Sequence, residues 1–279
     1  MDTFAESSSA AAGCSVIQLP SSSLKDTGEI EEEDYIPQEE LQLIRTKDGY
    51  MTTLGKNADA EKLTLKDTDK IVQNENILTT DTVLFFSDQG KCYGMKAHQL
   101  PHGAGGLANA ARIFSMKSDE KIICAAVLKP KNFVVFATTQ GLIKKTKIEE
   151  YDSIRSNGIA AIKIKKDDAI ISVHVIGNED YLMATQEGMV IRFKTTGIRP
   201  MGRNAAGVCG MKLKDDDRVL NAFSISDTDS IAFAFENSMK KKKGKDYKVQ
   251  NRGGKGVHGV KILKRDGKLC QVGKIILTN

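Results

Sequence analysis

Three stretches of this chain repeat one pattern at a fixed spacing, and any fold must accommodate that repetition first. Residues 141–146 with 158–163, 188–193 with 207–212, and 238–243 with 256–261 share one arrangement of turn, strand-like run and loop. The loop glycines Gly158, Gly207 and Gly256 are 49 residues apart, and the charged turns Lys166-Asp167-Asp168, Lys214-Asp215-Asp216 and Arg265-Asp266-Gly267 follow in step. Earlier turns at Gly49 and Gly90 join Gly141 and Gly188 at intervals of 41, 51 and 47 residues, so four or five units are present. A period near fifty is that of a propeller-like array, in which each unit is a small sheet that buries its apolar faces only against its neighbours.

Within a unit the pattern is consistently strand. Phe133-Val134-Val135-Phe136-Ala137-Thr138, then Gln140-Gly141, then Leu142-Ile143-Lys144-Lys145 is a β-branched and aromatic run, a glycine turn and a second run, the signature of a hairpin. It recurs at residues 181–193 and 231–243. No longer stretch shows a clean 3.6-residue apolar period, so helices are expected to be few and short. The predicted fold is all-β, about five four-stranded blades with the last incomplete. A chain of 279 residues fits one such array, because its core is divided among blades.

The net charge of +5 conceals an asymmetry. Residues 1–40 carry −9, and the remaining residues carry +14. The first part is rich in Ser and Ala and ends in Glu31-Glu32-Glu33-Asp34, a composition that cannot bury enough apolar surface to fold alone. Residues 1–38 are therefore expected to be a disordered acidic tail or linker, and 39–279 the folded domain. Five widely spaced cysteines without a CxxC pair indicate neither a disulfide framework nor a zinc ribbon, and buried reduced thiols are expected. Neither a signal peptide nor an eighteen-residue apolar span is found, which predicts a cytoplasmic protein with no membrane partner.

The basic residues recur at matching places. The return strand of the hairpin carries Lys144, Lys145 and Lys147, then Arg192 and Lys194, then Lys240, Lys241, Lys242 and Lys243. The following loop carries Arg155, then Arg199 and Arg203, then Arg252 and Lys255. Arranged radially, these positions form a continuous basic belt. Duplex DNA presents one phosphate charge per about 1.7 Å, so a curved belt can neutralise many of them and bend the duplex without reading bases. Scarce aromatics and no Trp disfavour a single-strand stacking platform. In the segment Gln250-Asn251-Arg252-Gly253-Gly254-Lys255-Gly256 three glycines are expected to permit positive φ and leave N–H groups for phosphate oxygens. A solvated lysine-rich surface, or a propeller that binds an acidic protein partner or its own tail, are the competing readings.

Enzymatic arrangements are not found. His98 and His102 are separated by Pro101, and Gly103-Ala104-Gly105-Gly106 lacks the spacing and ending of a phosphate loop. The paired aspartates recur at turns, where Asp favours the turn itself. Tyr151 and Tyr247 occupy matching positions that suit packing. No catalytic set, metal site or cofactor is expected.

The units resemble blades of the C-terminal β-pinwheel of the A subunit of bacterial type IIA topoisomerases, DNA gyrase or topoisomerase IV. The residues that carry the resemblance are 141–146 with Tyr151, Arg155, Gly158, Ala161 and Ile162; Ile198-Arg199-Pro200-Met201-Gly202-Arg203 with Ala206-Gly207-Val208; and Lys240-Lys241 with Tyr247, Gln250 and residues 252–256. It covers roughly residues 38–279 and is strong from 133 onward. The resemblance implies a disc whose rim binds and wraps DNA, nucleoid association, and a place in the remainder of an A subunit that pairs with an ATP-hydrolysing B subunit. The family's gyrase box, Gln-Arg-Arg-Gly-Gly-Lys/Arg-Gly, belongs to the first blade, but residues 55–62 hold none, and the box-like segment lies in the fifth unit. A topoisomerase IV-like role therefore stands beside a gyrase-like one. The family's cleavage domain is not in this sequence, which ends at Asn279 within a unit, so a fragment or degenerate copy is expected.

Overall fold

The computed structural model describes residues 36–117, 119–129, 132–154, 156–214 and 216–275. Most of the expected tail and Arg155 lie outside the described residues. The described residues form five antiparallel sheets in series. The first holds β1 (Glu40–Thr46), β2 (Tyr50–Gly55), β3 (Ile71–Leu78) and β6 (Ala108–Asn109); the second holds β4 (Thr82–Ser87), β5 (Lys91–Lys96), β7 (Ile122–Val127) and β10 (Ile159–Ala160). The third is β8 (Phe133–Thr138), β9 (Leu142–Lys147), β11 (Ile170–Ile176) and β14 (Val208–Cys209). The fourth is β12 (Asp180–Thr185), β13 (Met189–Lys194), β15 (Val219–Ile225) and β18 (Val257–His258). The fifth has three described strands, β16 (Ser230–Phe235), β17 (Met239–Lys243) and β19 (Leu269–Lys274). Besides short 3₁₀ turns, one helical turn, α1 (Ala110–Ile113), is described.

Each of the first four sheets is a hairpin with one long strand on one edge and a two-residue strand on the other. The short strand always comes from the following unit: β6 follows β5, β10 follows β9, β14 follows β13 and β18 follows β17. Consecutive units are thus stapled by backbone hydrogen bonds as well as by packing. The alternation of a strand sends side chains to both sheet faces, and both are apolar here. Val134 and Phe136 of β8 pack toward the second sheet, whereas Val135 and Ala137 pack toward the fourth. Four such cores join the five sheets in sequence. On the other face of the first sheet, Ile44 and Leu54 are covered by Leu63, with Ala60 and Leu65, from the loop between β2 and β3. The stretch in which the family's box would be expected therefore caps the end of the array. Gln42 holds that loop by donating to the carbonyls of Gly55, Lys56 and Ala58.

The fifth hairpin corrects the register that the repeat implies. Ala184 pairs with Val190 and Ala137 with Ile143, but Ala234 pairs with Met239, one residue nearer the turn than in the other units. Its turn is one residue shorter, so Lys240 corresponds to Ile191 and Lys144, and Lys241 to Arg192 and Lys145. The aspartates act in turns as expected: Asp168 accepts from Thr139 Oγ1 and the Gln140 N–H, and Asp217 from the Glu187 N–H. Buried Tyr151 and Tyr247 each donate to a carbonyl of their own loop, Ala161 at 3.4 Å and Gly259 at 2.8 Å. The thiols depart from expectation: Cys92 is buried, but Cys209 and Cys270 are exposed, and Cys14 lies outside the described residues.

Candidate nucleic-acid interface

Four cations expected on the rim are held inside it. Lys144 is fully buried, and its Nζ donates at 2.5 Å to the carbonyls of Ala161 and Arg203. Burial pushes its pKa down to about 8; Glu150 opposes that shift and Arg203 adds to it. Lys145, also buried, donates to the Thr195 carbonyl at 3.2 Å and sits 3.9 Å from the centre of the Phe133 ring. Arg192 grips Asp180 through Nε and Nη2, and its Nη1 reaches Asp227 and the Gly244 and Tyr247 carbonyls. Lys240 is half-buried, with its Nζ on the Lys261 carbonyl and the Asp266 carboxylate. The physical reason is common to them. The loop and 3₁₀ turn that follow each return strand leave carbonyls without ladder partners, and a long cation on the adjacent strand satisfies them. Lys144, Lys145 and Arg192 latch one unit to the next, Lys240 ties together its own unit, and none of the four is available to a phosphate.

Lys147, Arg199, Lys241, Lys242, Arg252 and Lys255 are exposed, and Arg203 and Gln250 are half-buried. The sequence pattern also left out exposed Lys212, which the register of the loops brings to the same surface. Successive loops are linked by their backbones. The Lys163 N–H donates to Ala205, the Lys212 N–H to Gly254 and the Gly253 N–H to Gly210. Arg252 bridges the same neighbours, donating to the carbonyls of Cys209 at 3.0 Å and Gly197 at 3.3 Å. A surface groove of about 610 Å³ lies between Lys194, Thr196 and Gly197 on one side and residues 249–252 on the other.

Residues 250–256 belong to the fifth hairpin yet pack on the fourth sheet. Val249 bridges Arg192 in parallel, and the Gln250 N–H donates to the Arg192 carbonyl at 2.8 Å. Only two of the three glycines use positive φ, Gly253 at +80° and Gly256 at +74°, and a Cβ on Gly256 would stand 2.5 Å from the Val190 carbonyl oxygen. The Gly253 N–H, expected to face phosphate, is spent on Gly210 at 2.6 Å. The counterpart of this segment on the first sheet is the stretch 103–106, where His102 bridges Thr53 as Val249 bridges Arg192. That stretch has no cationic side chain.

The fold has recognisable relatives. A family described as the DNA gyrase C-terminal domain, a β-propeller, matches residues 81–127, 132–176, 179–226 and 238–269, together more than half of the chain. The chain belongs to this family. The first three segments of the gyrase C-terminal domain match coincide with the second, third and fourth sheets. The DNA gyrase A subunit of Clostridium acetobutylicum is 34% identical over an alignment 200 residues long that covers 64% of this chain and 23% of that protein. The aligned part thus spans under a quarter of the curated relatives' length. A solved C-terminal domain of DNA topoisomerase IV superposes with a TM-score of 0.76 at 27% identity, covering 86% of this chain and 79% of that one. A solved DNA gyrase A C-terminal domain superposes with a TM-score of 0.66 at 20% identity, covering 85% and 83%. Among the described residues of this gyrase C-terminal domain relative, no group of three or more His, Cys, Asp or Glu is placed to hold a metal ion. No helix among them is long and apolar enough to cross a membrane.

Proposed function

We propose that this domain binds the backbone of duplex DNA, without reading base sequence, and bends it along the outer loops of the array. In this reading it serves as the C-terminal part of an A subunit of a bacterial ATP-dependent type IIA topoisomerase, gyrase or topoisomerase IV, and meets the ATP-hydrolysing B subunit through the rest of that A subunit. The observation that carries the reading is the row of exposed cations, Lys147 at the end of β9 and Arg199, Lys212, Arg252 and Lys255 on the segments between units, where successive loops are joined through their backbones. A rigid curved row of charge suits a polymer of evenly spaced phosphates better than a small partner. Half-buried Arg203 and the groove beside Lys194 extend it. The reading assigns no reaction to this chain on its own.

The test is affinity for a random-sequence duplex of about 40 base pairs across a salt series. Each phosphate contact contributes roughly 0.9 to the log–log salt slope. Lys147→Ala, Arg199→Ala, Lys212→Ala and Lys255→Ala together should lower that slope by about 3.6 while unfolding is unchanged. A slope equal to that of the parent chain, or affinity dominated by one or two of these residues, would instead indicate a protein-binding surface.

A further inference from the structure

Each junction between units carries one further cation at the same place. After each short strand the chain crosses the hairpin turn of the sheet it has joined, where the N–H of Ala110, Ala161, Gly210 or Gly259 donates to the carbonyl of Gly49, Gly90, Gly141 or Gly188. Two residues further on stand Arg112, Lys163, Lys212 and Lys261, all exposed. The residue after each is apolar: Ile113, Ile164 and Leu213 pack on the cores between units, and Ile262 reaches within 2.8 Å of where a Cβ on Gly188 would stand. Buried Ile162, Met211 and Val260 precede the last three cations. Each of those lysines is thus fixed between two anchored neighbours while its own side chain is left in solvent. The acids of the same loops are engaged elsewhere. Asp168 and Asp217 accept turn N–H groups, and Asp266 holds Ser238 and Lys240. Among the described residues no ion pair joins any of the four cations.

We propose that Arg112, Lys163, Lys212 and Lys261 form a second row of phosphate contacts, on the hairpin-turn side of the rim, and that the duplex surface thereby extends to the junction of the first and second sheets. The inference rests on the reading of this domain as a binder of the duplex backbone. Lysines scattered for solubility need no register, whereas these cations recur at one position of the repeat in all four junctions. The loops tie this row to the outer one. The Lys163 N–H donates to Ala205, two residues from Arg203, and the Lys212 N–H donates to Gly254, between Arg252 and Lys255. Lys212, already among the exposed rim cations, is the member at which the two rows meet. Duplex DNA carries its charge on two backbones, so cations at two levels of the rim engage more phosphates per unit than one level can. At the first junction the outer stretch 103–106 has no cationic side chain, and Arg112 supplies the charge.

The experiment measures affinity of the full chain for a random-sequence duplex of about 40 base pairs across a salt series, with Lys212 left in place. Arg112→Ala, Lys163→Ala and Lys261→Ala together are expected to lower the log–log salt slope by about 2.7, at unchanged thermal unfolding. Arg112→Lys, Lys163→Arg and Lys261→Arg together are expected to keep the parent slope, because a backbone contact of this kind requires the charge rather than one particular side chain. A control with the same loss of charge, Lys56→Ala, Lys62→Ala and Lys129→Ala, removes exposed lysines from the cap of the first sheet and from beyond the far end of β7. It should leave the slope within about 1 of the parent value. A parent-like slope in the alanine row variant would overturn the proposal while leaving duplex binding in place. An equal fall in the control would overturn it by assigning the effect to net charge. A parent chain that shows no binding at low salt would remove the duplex reading itself, and the second row with it.

Discussion

Lys144, Lys145 and Arg192 show that a cation's place in a repeat does not fix its task. A buried ammonium is tolerated here because two carbonyls receive it, and the remaining desolvation is what lowers the Lys144 pKa to about 8. In the unfolded chain the same group titrates near about 10.4. Between those values the unfolded state binds more protons, so this residue makes stability rise with pH across the window from about 8 to about 10.4. Replacing it by Met should remove that component, flattening the chemical-denaturation stability by up to ~1.4 kcal/mol per pH unit relative to the parent chain within the window. Identical pH profiles for the two chains would show that the amine is not desolvated. Arg192→Met should act differently, since it strands the Asp180 carboxylate and two carbonyls; a loss of about 3 kcal/mol is expected in urea unfolding. Duplex affinity at a temperature where that variant is folded should be unchanged, and a loss there would return Arg192 to the interface.

At the scale of elements, the short strands carry the connection between units, and the glycine before each of the last three lets the chain enter it. At Gly256, positive φ and the close Val190 carbonyl both exclude a side chain, whereas Gly202 has open space around it and no such φ. Gly256→Ala is expected to destabilise the domain by about 1–3 kcal/mol and Gly202→Ala by well under about 1, measured by thermal or urea unfolding. Equal effects would mean that β18 is not a staple. The hairpins, the all-β class and the repeated sheets were legible because turn glycines and alternating β-branched runs are local signals. The short strands were not, because two residues carry no periodicity and their partners belong to the previous unit. The burial of Lys144 was hidden by the usual exposure of lysine. A signal existed, since the matching residue in the next unit is Ile191. The slip in the fifth unit had a similar origin: Ser238 stands where a repeat glycine was assumed, and only the pairing of Ala234 with Met239 reveals the shorter turn.

For the whole molecule, the distribution of charge predicts that the N-terminal segment competes for whatever the basic surface binds. Residues 1–35 carry −7 and the rest of the chain +12. Exposed Lys241, Lys242 and Lys243 are shared between the open edge of the fifth sheet and the outer surface proposed for DNA. If Glu31, Glu32, Glu33 and Asp34 neutralise them, a duplex must displace the segment before it can use the last unit, and the cost of that displacement appears as weakened affinity. Removing residues 1–35 should tighten binding to a random-sequence duplex by several-fold at low ionic strength, with the gain falling as screening increases. Nonspecific attraction by net charge alone would give a similar gain with any exposed cations removed. The discriminating variant is therefore Lys241→Ala, Lys242→Ala, Lys243→Ala in both chain lengths. A double-mutant cycle in which the gain from truncation vanishes in that background would localise the competition to β17. A gain that persists undiminished there would assign it to the long-range field of the tail, and no gain in either background would remove the tail from the binding equilibrium altogether.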